Sequence, residues 1–116
     1  MTIEQLDKLH YYAVYPDKTK VRLVISDHLD WVKFDEGLHL ELLQDKINRY
    51  LHFIEEGQWM ETRPDLRGVP IIIEVCAKYL PSTEALKFYR SAGPIVAKCG
   101  VSLELNLTSS ETTIRF

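Results

Sequence analysis

Ser26-Asp27-His28-Leu29-Asp30-Trp31 is the stretch of this 116-residue chain richest in groups that could do chemistry. His28 and Asp30 supply an imidazole and a carboxylate two residues apart, which could hold a divalent cation or trade a proton with a bound substrate. Two ligands do not close a metal site, however. A carboxylate just after a strand ordinarily accepts from backbone amides and caps the next turn of chain. The structural role is therefore the expectation for this loop, with His28, Asp30 and Trp31 kept as binding candidates. Glu74 and Cys76 share one face of a later strand. A thiol there could be activated by a neighbouring imidazole such as His28. Nothing nearby supplies the positive charge that lowers a thiol pKa, so Cys76 reads as a small buried hydrophobe. Glu74 remains a binding candidate, as does Trp59. Each of Trp31 and Trp59 could anchor an interface, though each would serve equally to cover one end of the long helix.

The other polar candidates are weaker. His39 and His52 flank the apolar stripe of that helix, project to different sides and are expected at its boundary. His10 falls in the first strand. Tyr11, Tyr12 and Tyr15 could stack on bases, but without clustered basic neighbours they suit a packed sheet edge better. Cys99, beside Gly100, suits helix-end packing. No G-x-G-x-x-G, G-x-x-x-x-G-K-S/T, G-x-S-x-G, H-E-x-x-H or C-x-x-C motif occurs. The five glycines are scattered, so no phosphate cradle is expected, and neither a metal nor a cofactor.

The elements that must position these residues come from periodicity. Leu9 to Tyr15 and Val21 to Asp27 flank the turn residues Pro16-Asp17-Lys18-Thr19, a β-hairpin pattern. Leu40, Leu43, Ile47, Leu51 and Ile54 have helical spacing, with Asp35 as N-cap and Gly57 as stop. Glu41, Asp45, Lys46, Arg49 and Glu55 lie mostly off that stripe. Gln58 to Gly68 reads as a loop. Val69 to Tyr79 is the strongest strand, with apolar residues on one face and a mixed second face. Ser82 caps a second helix, which Gly93-Pro94 should stop or kink before a short segment Ile95 to Cys99. Val101 to Leu107 alternates as a half-buried strand, and Thr112 to Phe116 adds an edge strand or frays. The order β-β-α-β-α-β(-β) specifies an α+β fold. It is a two-layer α/β sandwich in one domain, with a mixed sheet of four to five strands and two helices on one face. The direction of the third strand stays open.

Composition narrows the class. Charged residues make up 27 % and hydrophobic residues 46 %, with a net charge of −3, values typical of a globular chain. A slightly acidic surface with scattered Lys and Arg argues against nucleic acid as partner. No apolar run reaches membrane-spanning length. Two cysteines and no signal-like N-terminus point to a cytoplasmic protein. The landmarks SDHLDW (Ser26 to Trp31), HLELLQDKINRYLHFIEEGQ (His39 to Gln58), PDLRG (Pro64 to Gly68), IIIEVCAKYLP (Ile71 to Pro81) and EALKFY (Glu84 to Tyr89) occur in that order. Over Leu6 to Leu107 this resembles a family of small bacterial proteins known as a domain of unknown function. The resemblance implies a bacterial cytosolic protein and supplies no activity. The expectation is a non-enzymatic interaction module, immunity-like or accessory, that binds itself as a homodimer or another protein through the open sheet face or an edge strand. The alternative is a small-ligand or metal-assisted enzyme centred on His28 and Asp30.

Overall fold

Strict alternation from Val21 to Asp27 sends every odd-numbered side chain to one side, and all four of these are buried. The structure, a computed structural model, describes residues 20–56 and 68–116, together with the backbone of Tyr12–Val14. Its elements are β1 (Tyr12–Val14), β2 (Val21–Asp27), α1 (Glu36–Glu56), β3 (Ile71–Ala77), α2 (Thr83–Lys98), β4 (Val101–Leu107) and β5 (Thr112–Arg115). They form one five-stranded sheet in the order β1-β2-β3-β4-β5. The central three strands are parallel, and β1 and β5 run antiparallel along the two edges. The third strand thus returns parallel to the second, as a helical crossover between neighbouring strands requires.

Both helices lie on the face that carries Val21, Leu23, Ile25, Ile73, Val75, Leu103 and Leu105. His39 of α1 bonds the β2 residue Asp27 on that face, and Tyr89 of α2 feels the charge of the same carboxylate. The α+β sandwich expected from periodicity is the architecture observed. Its caps agree with the sequence as well. Asp35 Oδ1 accepts from the Leu38 amide at 2.9 Å at the start of α1, and Ser82 Oγ accepts from the Ala85 amide at 3.1 Å at the start of α2. Gly100 comes just after the end of α2 with a φ of 77°, a left-handed geometry that glycine adopts without penalty.

Two expectations need correction, at α2 and at Lys46. Helix α2 does not stop at Gly93-Pro94 but runs through it to Lys98. Proline removes only its own amide, leaving the Arg90 carbonyl unpaired, and both residues are exposed, so water can take that carbonyl. The C-terminal segment, expected either to add an edge strand or to fray, is an edge strand. It pairs with β4, and Phe116 stacks on Tyr89 with ring centroids 5.1 Å apart. Lys46, placed off the apolar stripe, is fully buried on the inner side of α1 with its ammonium 5.4 Å from the Tyr50 ring centre.

Gly93 is where α2 and the C-terminal segment touch most closely. A Cβ added there would stand 2.9 Å from the backbone carbonyl carbon of Phe116. Alanine improves helix propensity by up to about 1 kcal/mol, but overpacking costs about 1–3 kcal/mol. With the contact made to backbone, the cost lies toward the upper end of that range, so Gly93→Ala should lower the melting temperature by a few degrees. A melting temperature equal to or above wild type would show that Phe116 does not press on this helix.

Candidate functional site

Asp27 ends β2 with the same parity as Val21, Leu23 and Ile25, so its carboxylate is carried inward beneath α1. A buried carboxylate must be paired. His39, in the first turn of α1, does this with Nε2, which stands 2.8 and 2.7 Å from the two Asp27 oxygens. A carboxylate only accepts, so Nε2 carries the hydrogen. His39 is 0 % exposed. Trp31 lies flat on it, with ring centroids 3.5 Å apart and planes 15° apart, and Phe34 meets it edge-on at 6.0 Å. Among the described residues, His39 Nδ1 has no hydrogen-bond partner. Asp27 also accepts the Leu29 amide at 3.1 Å on Oδ1, while its carbonyl accepts the Lys78 amide at 3.0 Å. One residue thus ties the end of β2 to the start of α1 and to the loop after β3. It sits at the carboxyl ends of the parallel strands, where open α/β sheets ordinarily place their sites. Burial, and secondarily the Asp27 charge, hold the Tyr89 hydroxyl well above its ordinary pKa.

The loop candidates fall around this pair. Asp30 is turned to its own loop. Its Oδ1 accepts the Val32 amide at 2.7 Å and the Lys33 amide at 3.2 Å, and these two amides hold its carboxyl below the usual range. It is the capping residue that a carboxylate in this position was expected to be. His28 is exposed. Trp31 covers the first turn of the long helix through its stack on His39. Trp59 lies outside the described residues. His39, expected at the helix boundary, is instead at the centre of the site. The signal that could have found it is the inward parity of Asp27, which demands a donor from the covering helix.

Glu74 belongs to a separate cluster on the other sheet face. Parallel register places Val24, Glu74 and Glu104 in one row. Side-by-side carboxylates repel. Arg22 Nη1 offsets this at 2.8 Å from Glu74, and Arg115 Nε stands 3.7 Å from Glu104. Asn106 Nδ2 donates to Glu74 at 3.0 Å, and the Cys76 thiol donates to it at 3.6 Å. This face, expected to be open, is not bare along its middle: Ile72, Glu74 and Glu104 are 6 %, 4 % and 9 % exposed. Burial first, then the Glu74 charge and hydrogen bond, push the Cys76 thiol up to about 11. It is a protonated, unreactive thiol at neutral pH.

No group of three or more His, Cys, Asp and Glu side chains among the described residues could hold a metal. No helix among them is long and apolar enough to cross a membrane. What the carboxyl end of the sheet does show is exposed apolar surface. Val32 is 90 % exposed, Leu80 71 %, Leu38 45 % and Tyr79 37 %. Val32 lies between β2 and α1 and Leu38 in the first turn of α1, while Tyr79 and Leu80 follow β3, and the Lys78 amide donates to the Asp27 carbonyl where β2 and β3 end.

The fold and this rim define a small mixed-sheet sandwich with a sealed carboxylate–imidazole pair. The chain belongs to a family of unknown function, DUF6572, whose model matches residues 1–109. No curated protein and no solved structure matches it.

Cysteine chemistry checks the electrostatics of the second face. Iodoacetamide at pH 8 should alkylate the exposed Cys99 and leave Cys76 largely unmodified, with Cys76 labelling rising as pH approaches about 11. Peptide mass spectrometry reads both sites. Equal labelling of the two thiols at pH 8 in the folded protein would contradict the Glu74–Cys76 arrangement.

Proposed function

We propose that this protein is a non-enzymatic interaction module that binds a protein partner through the rim at the carboxyl ends of β2 and β3. The observation that carries this reading is the placement of exposed apolar side chains. Of the five large hydrophobics most open to solvent among the described residues, Val32, Leu38, Tyr79 and Leu80 lie on this rim, and the fifth, Ile95, lies on α2. Single exposed hydrophobics are ordinary on a protein surface, but several at one end of a fold are the usual mark of a contact site.

The surrounding chemistry supports contact rather than turnover. The Asp30 carboxylate is engaged by two backbone amides, and His39 is sealed under Trp31. An enzyme centred on His28 and Asp30 would need that carboxylate turned to a ligand. The rim is also held in shape before any partner arrives. Asp27, Asp30 and Asp35 each fix backbone amides on it, which reduces the ordering cost of binding.

A photo-crosslinking residue placed at Val32 or at Leu80 in the full chain, expressed in cells, tests the reading. A discrete adduct with one protein is expected from both positions. The same residue at Lys87, exposed on α2, should give none. Absence of an adduct from the rim, or equal adducts from all three positions, would sink the reading.

A further inference from the structure

We draw no further inference here: the strongest candidate, the apolar groove between α1 and α2 lined by Ile47, Leu51, Phe88, Ala92 and Ile95, carries nothing because nothing in the structure shows what covers it.

Discussion

A carboxylate that a strand carries beneath a helix has to find a donor, and in this protein much else depends on where it finds one. Asp27 cannot turn outward without breaking the alternation that buries Val21, Leu23 and Ile25. His39 meets it from the first turn of α1, near the helix N-terminus, where the backbone dipole also favours a negative charge. With that contact made, the register of α1 over β2 is fixed. Trp31 then has a flat surface to stack on. The chain between the pair's two members, only twelve residues in separation, closes into a tight loop whose turns are held by Asp30 and Asp35. Val32, the next residue after the stacked indole, is left in water because Trp31 occupies the inner position.

This gives the molecule two kinds of polar burial with different consequences. Asp27 and His39 are enclosed by aromatic and aliphatic side chains, and breaking one partner would strand the other. The Glu74 and Glu104 row is a buried strip on the opposite sheet face in which two more exposed arginines offset two carboxylates. The first holds elements together across the layers of the sandwich. The second lets the parallel strands β3 and β4 keep in-register acidic residues side by side. Neither presents a reactive group to solvent, since the thiol beside Glu74 is held protonated and the imidazole beside Asp27 is covered.

Much of this was legible in the residues alone. Period-two alternation located β2, β3 and β4, and the apolar spacing with Asp35 and Ser82 located both helices and their starts. The inward faces of the strands came from parity. What stayed hidden depended on partners distant in sequence. His39 and Lys46 look like boundary residues on a helical wheel because hydrophobicity scales place them outside. Their burial is decided by the carboxylate and the aromatic ring that tertiary packing brings to them. Pro94 carries a local instruction to break a helix, and packing of α2 against the sheet overrode it. Within the loop candidates, the capping role of Asp30 was readable from its position after a strand. The apolar rim was not, because Val32, Tyr79 and Leu80 sit in short segments where nothing in the pattern says which side faces water.

Coupling between Asp27 and His39 is the quantity on which the organisation of the rim stands. A double-mutant cycle with Asp27→Ala, His39→Ala and the combined variant, measured by denaturant unfolding, isolates it. Loss of either partner alone should cost about 3–5 kcal/mol, and loss of both should cost little more than loss of one, a coupling of at least about 2 kcal/mol. Strictly additive losses would mean that the two side chains do not depend on each other, and the contact proposed to organise the rim would not be doing so.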